Sequence, residues 1–353
     1  MKTILMAAVI CVLATQAVFA QKGKKEVEGT SYFLPRTALR FAVKVEKSIY
    51  KPGELSAYAD KYLKIKDVSD KPSTTYRLVD FKIKSEGIRD TSKMYVAPTD
   101  AKHNIDLVNL DDNAVLLSLN AEPRPLAKTE PFRPAVKAAP LNPREYMNED
   151  MLSAGSLAKL AELCALEIYD IRDSKSLLSK GQADFMPKDG EQLRIMLNNL
   201  NTQEAALMQL FVGVTEVDTT EHIVSYIPEK TDSRDLLFRF SKWSGLTDPD
   251  DLSGNPYYIG VEDLHVMPAV QESFIAEKPA KGNCGIFVNM PGKIKVSLYK
   301  GATPWMAYEL YAAQFGRVVE LHPDLFGQKM FTSLVVNPVT GNLENLQTEY
   351  VKK

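Results

Sequence analysis

Leu39, Phe41, Val43 and Val45 alternate with Arg40, Ala42, Lys44 and Glu46. A period of two puts one face of a strand on a core and the other in water. Lys51-Pro52-Gly53 then turns the chain, and Leu55, Tyr58, Ala59, Tyr62 and Leu63 recur at spacings of three and four, which predicts a short amphipathic helix packed on the sheet. Alternation returns at Val79, Phe81 and Ile83, and again at Val115, Leu117 and Leu119. Residues 29–120 therefore read as an amino-terminal mixed β module with one short helix.

The rhythm breaks over residues 121–147, where Pro123, Pro125, Pro131, Pro134, Pro140 and Pro143 stand among Ala, Lys, Arg and Glu. Such a segment lacks the donors for a ladder and prefers extended polyproline II geometry, so it predicts a linker; a docking peptide for a proline-binding partner is the sharper alternative. From 149 to 213 the period becomes helical. Leu157, Leu160, Ala161, Cys164, Ile168, Ile171 and Leu178 form one stripe, widened by Ala165 and Leu166, as for a helix buried on two sides. Asp189 is placed to cap a second helix, with Gln192 at the reciprocal position and an apolar face of Leu193, Met196, Leu197, Leu200, Leu207, Met208 and Phe211 ending near Gly213. The two make an antiparallel helical hairpin in which the Met and Leu stripes pack on each other.

Residues 214–353 read as a carboxyl-terminal β module. Strands are expected at 222–227, 236–240, 257–261, 285–288, 294–298, 317–321 and 331–336, and Asn337-Pro338-Val339-Thr340-Gly341 suits the turn of a terminal hairpin. Many short strands punctuated by turns imply a sandwich or a strongly bent sheet. The fold class expected is α+β: mostly antiparallel β modules, sandwich-like at the carboxyl end, with an inserted antiparallel helical hairpin.

The first twenty of the 353 residues change the setting. Lys2 precedes an apolar run from Ile4 to about Ala14, and Val18-Phe19-Ala20 is a small-x-small cleavage site, together a signal peptide cut before Gln21. Cys11 lies inside the run behind bulky Ile10, which disfavours a lipoprotein signal. An exported chain in the periplasm or at the outer membrane is expected. Beyond the signal no uncharged stretch is long enough to cross a bilayer. A formal charge of −2, with both signs interspersed, argues against nucleic acid as a partner. Cys164 and Cys284 leave room for one bridge after cleavage, although Cys164 on a helical stripe reads better as a small buried hydrophobe.

Several stretches resemble a known family: Gly29-Thr30-Ser31-Tyr32-Phe33-Leu34-Pro35-Arg36-Thr37, Tyr58-Ala59-Asp60-Lys61-Tyr62-Leu63, Ala154-Gly155-Ser156 leading into Glu167-Ile168-Tyr169-Asp170-Ile171-Arg172, Pro187-Lys188-Asp189-Gly190-Glu191, Tyr226-Ile227-Pro228-Glu229-Lys230, and Asn337 to Gly341. The set is similar to the exported family catalogued as domain of unknown function 4831, over nearly the whole mature chain. The resemblance implies a Gram-negative cell-envelope location and the order of modules, and it carries no catalytic residues.

Candidate chemistry is sparse. The four histidines, His103, His222, His265 and His322, stand singly, so helix-zinc and zinc-finger spacings are absent. Glu320, His322 and Asp324 would share one side of a strand, but Pro323 ends it, which makes a polar turn the better reading. Asp248, Asp250 and Asp251 fail the spacing of a calcium loop. Cys284 with His322 downstream is the order of a cysteine hydrolase, yet Ile286, Phe287 and Val288 predict a strand where such a thiol needs a helix amino terminus. Trp243, Tyr257, Tyr258 and Trp305 fall in or beside expected loops, where exposed rings can stack on sugars or proteins. The reading that results is a non-enzymatic binding or scaffolding protein of the cell envelope, without cofactor, that meets an envelope protein or a second copy of itself. The alternatives are a polysaccharide-binding module and a cysteine hydrolase using Cys284 and His322.

Overall fold

The computed structural model describes residues 29–125, 130–136, 140–229, 231, 233–277 and 283–351; the signal segment 1–20 lies outside them. The expected alternation at Leu39 to Val45 is the centre of a much longer strand, β1 (Gly29–Lys51). It pairs antiparallel with β2 (Ser73–Pro98) along its length and with β5 (Val214–Tyr226) on its other edge. β3 (Val108–Leu110) and β4 (Leu116–Leu119) follow, and β4 pairs with β11 (Met330–Val336), which continues through the Asn337 turn into β12 (Leu343–Tyr350). The third sheet has the order β10-β9-β8-β6-β7, from β6 (Ser233–Ser241), β7 (Gly245–Thr247), β8 (Asn255–Val266), β9 (Phe287–Lys300) and β10 (Thr303–Glu320). Antiparallel sheets with a few helices make the chain α+β.

Strand pairing crosses the expected division into an amino-terminal and a carboxyl-terminal module. β1 carries β5, and β4 carries β11, so residues on both sides of the linker and hairpin build common sheets. The segments 285–288 and 294–298, expected as separate strands, belong to one run into and along β9, with a register shift where Pro291 interrupts the ladder. On β10 the same shift leaves residues 313–316 unpaired.

Two β cores result. One lies between the β2-β1-β5 sheet and the five-stranded sheet, where Leu39, Phe41, Val43 and Val45 face Phe238, Ile259, Ile294, Val296 and Leu298. The other lies where the ends of the long strands meet β4 and β11, around Tyr32, Leu34, Leu116, Leu119, Phe287, Val288 and Leu334. Each fully buried large side chain contributes about 1.5–3 kcal/mol relative to exposure.

Neutral polar groups join these cores. Thr37 is fully buried; its N–H donates to Gln314 Oε1 (3.0 Å), and Gln314 Nε2 donates back to the Thr37 carbonyl (2.9 Å) and to that of Pro228 (2.8 Å). Thr37 Oγ1 donates to the Val339 carbonyl (3.1 Å) and accepts from the Ala313 N–H (3.1 Å). Asn289, equally buried, donates from Nδ2 to the carbonyls of Pro35 and Thr340, both at 2.9 Å. The unpaired β10 residues thus spend their hydrogen-bonding capacity on β1. Gly341 has a φ of 72°, and a Cβ there would come within 2.6 Å of Asn289 Nδ2, so the turn needs glycine on two counts.

A third core holds the helices: Leu55, Ala59 and Leu63 from the segment before and within α1 (Ala59–Leu63), Met151 from α2 (Glu149–Leu152), and Ala161, Cys164, Ile168, Ile171, Leu207, Leu210 and Phe211 from α3 (Leu157–Lys180) and α4 (Gly190–Val212). It docks where β1 ends: the Leu55 N–H donates to the Leu210 carbonyl at 2.7 Å. At the end of α4, Gly213 adopts a φ of 76°, with the Lys51 carbonyl 2.3 Å from where a Cβ would sit.

The described parts of the proline-rich segment run along the body. Arg124 pairs with Glu344 of β12 (2.8 Å), Lys44 Nζ of β1 lies 5.1 Å from the centre of the Phe132 ring, and Pro140, Leu141 and Pro143 line a cleft of about 260 Å³ with Gly53 and Leu210. Val115 bridges Phe33 near one end of β1, and the hairpin docks beside Lys51 at the other. Within the expected linker at 121–147, residues 126–129 and 137–139 lie outside the described residues, and Pro143–Tyr146 form a 3-10 turn.

Candidate interaction surface

The four aromatic candidates separate. Tyr257 alternates into the core, stacked on Phe238 at 4.6 Å between centroids, and Trp305 packs against Phe81 (4.8 Å) and edge-on to Tyr257 (5.4 Å). These two rings complete the β core, which corrects their expected place on a ligand surface. Tyr258, one residue on and so on the opposite face, is covered by the Arg234 guanidinium, which also lies over Tyr299, its cross-strand neighbour. Trp243, 65% exposed in the β6–β7 turn with Lys242 over its ring, is the candidate left open to solvent.

Cys284 lies just ahead of β9, bridged to Val96. Burial raises its thiol pKa, and the carboxylates of Asp100 and Glu320 raise it further, the opposite of what a thiolate nucleophile needs. His322 turns to Asp324, 3.6 Å from Nδ1 to Oδ2, and accepts the Asp324 N–H in the 3-10 turn that Pro323 opens. Cys164 is a free thiol in the helical core, its pKa pushed up to about 11 by burial and then by Glu167 and Glu54; Cys284 is free as well, so the possible bridge is not formed. Among the described residues no group of three or more His, Cys, Asp and Glu side chains could hold a metal ion, and no helix is long and apolar enough to cross a membrane.

A surface that these expectations missed stands at the hairpin's far end. α3 begins at Ser156, whose Oγ accepts the Lys159 N–H, and ends at Gly181 with a φ of 70°. The Asp189 side chain caps α4 through the Gln192 N–H at 2.8 Å, but Gln192 Oε1 reaches back to the N–H of Lys188, one residue earlier than a reciprocal box would place it. Beyond the helical core the two helices are clasped by charge. Arg172 Nε donates to Glu204 Oε1 (2.6 Å), and Lys175 Nζ donates to Asn201 Oδ1 (2.9 Å) and to Glu204. Burial alone would raise the Glu204 pKa; the hydrogen bonds and charges of Lys175 and Arg172 outweigh it and hold the carboxyl below its usual range.

Past this clasp the chain is apolar again, in water. Phe185 is 88% exposed, and Leu177, Met186, Ile195 and Met196 are exposed too, all in the connecting loop, the last turn of α3 or the first two turns of α4. Of the wide stripe expected to be buried on two sides, Ala161, Cys164, Ala165, Ile168, Ile171 and Leu178 are buried, whereas Leu157 and Leu166 are exposed. Unbranched Met and a rigid aromatic are the side chains that adapt to and anchor a docked surface.

Three of the stretches that carried the resemblance converge in space. Pro35 and Thr37, Pro228, and Val339 to Gly341 meet at the polar junction of the two β cores, where Arg36 also pairs with Glu229 at 2.8 Å. The sequence model of the family described as Domain of unknown function (DUF4831) matches residues 28–344. The chain belongs to this family. For this DUF4831 protein no curated protein and no solved structure gives a match.

Proposed function

We propose that the protein is exported to the cell envelope, in the periplasm or at the outer membrane, and acts there without catalysis as a binding or scaffolding protein that offers its hairpin tip to another protein. The observation that carries this reading is the apolar tip of Phe185, Met186, Leu177, Ile195 and Met196, held in water beyond the Arg172–Glu204–Lys175 clasp. A monomer has no folding reason to keep such a surface, since burying one such side chain is worth about 1.5–3 kcal/mol. The export half rests on the leader at residues 1–20. Against the hydrolase alternative stands the upward-shifted Cys284 thiol; against the glycan alternative stands the burial of Tyr257 and the packing of half-buried Trp305 on it.

The test places a photo-crosslinking side chain at position 185 in intact cells. A protein adduct recovered from the envelope fraction, on a chain whose amino terminus is Gln21, is the expected result. Recovery of uncrosslinked chain alone removes the docking reading, and an uncleaved cytosolic chain removes the export reading.

A further inference from the structure

We infer that the hairpin tip is the contact surface of a two-fold symmetric dimer of this chain, an inference that rests on the tip being a docking surface and names what docks there. The charges of the tip favour a second copy. Between residues 180 and 194 the basic Lys180, Lys188 and Arg194 balance the acidic Asp184, Asp189 and Glu191. An anionic lipid surface or a strongly charged partner gains nothing from that balance.

The signs are also separated along the hairpin. Lys180 closes α3, at the negative end of its helix dipole, whereas Asp189 and Glu191 open α4, at the positive end of its own. In an isologous contact the residue pair is exchanged between copies, so Lys180 of one chain meets Glu191 of the other twice across the axis. The Glu191 side chain is 62% exposed even while paired with Arg194, which leaves it room for a second cation. The exposed apolar side chains of the tip supply the apolar centre of such a contact, to which the charged residues around them add a polar rim. Two hairpins joined in this way form a four-helix cluster, with Phe185, Ile195 and Met196 taking the buried positions that a lone hairpin leaves wet.

Sedimentation of the purified mature chain tests this. The wild type is expected to dimerise with a Kd on the order of 10 μM. Phe185→Ser combined with Ile195→Ser is expected to weaken dimerisation about a hundredfold, while the melting temperature read at protein concentrations well below the dimer Kd changes little because both side chains are exposed in the monomer. Lys180→Glu alone and Glu191→Lys alone each place like charges opposite one another and favour monomers. Their equimolar mixture restores both pairs and returns to the dimer. A wild-type chain that stays monomeric at about 100 μM, a Ser double variant that dimerises like the wild type, or a mixture that remains monomeric each overturns the inference. A monomeric wild type whose position 185 crosslinks to a different protein in cells overturns the dimer and leaves the docking reading standing.

Discussion

The protein joins apolar bodies by polar groups in two places, and it does so differently in each. Between the β cores the groups are neutral: Thr37 and Asn289, fully buried, and the half-buried Gln314 amide, each bonded to main chain. Between the helical core and the hairpin tip they are charged and half-open: Arg172, Lys175 and Glu204. Burying a neutral amide costs about 1–3 kcal/mol for an atom left unpaired, as at Asn289 Oδ1, whereas desolvating a charge costs several kcal/mol unless its partners are well placed. Neutral groups can therefore fix strand register deep in the molecule, and the charged clasp suits a place that water reaches.

The sharpest way to break the contrast is to remove the apolar packing that the buried junction serves. Phe41→Ala is expected to lower stability by about 3–5 kcal/mol in urea unfolding. Asn289→Ala, which strands the buried carbonyls of Pro35 and Thr340, is expected to cost about 2–4 kcal/mol. A loss below about 1 kcal/mol there would show that the junction fixes no register.

At the clasp, Glu204→Gln is expected to cost only about 1 kcal/mol near neutral pH. Because the folded pKa of Glu204 is depressed, its contribution is present above the ordinary glutamate pKa and fades as pH falls through the folded value. Melting curves of wild type and variant should converge in acid; a gap that stays constant from neutral pH into acid contradicts the charge assignment. At the tip, Phe185→Ser is expected to change the stability of the monomer by less than about 0.5 kcal/mol, as calorimetry would read. A larger loss would mean the ring already has a partner within the chain.

Local rhythm made some regions legible from sequence and left others hidden. The hairpin was readable because its apolar residues keep helical spacing and Asp189 and Gly213 mark the second helix at its ends. β1 was readable only where one face is wet; over Tyr32, Phe33 and Leu34 consecutive side chains are buried on both faces and the period of two disappears. The early part of β10 was missed for the opposite reason, since Thr303 to Tyr311 is mostly half-buried or exposed and shows little contrast. Sequence spacing gave no sign that β4 would find β11, nor that apolar side chains around the hairpin's connecting loop would stay in water, because each depends on where other elements stop.

Interleaving also sets the order in which the chain can be made. The Phe287 N–H that donates to Tyr32 Oη at 2.7 Å lies 255 residues downstream of it. A polypeptide emerging amino end first must hold its opening hairpin, greasy on one side, until nearly the last strand arrives. Nascent chains stopped anywhere before β11 should therefore be protease-sensitive throughout, and a companion that shields β1 and β2 during delivery would find its substrate in that long wait.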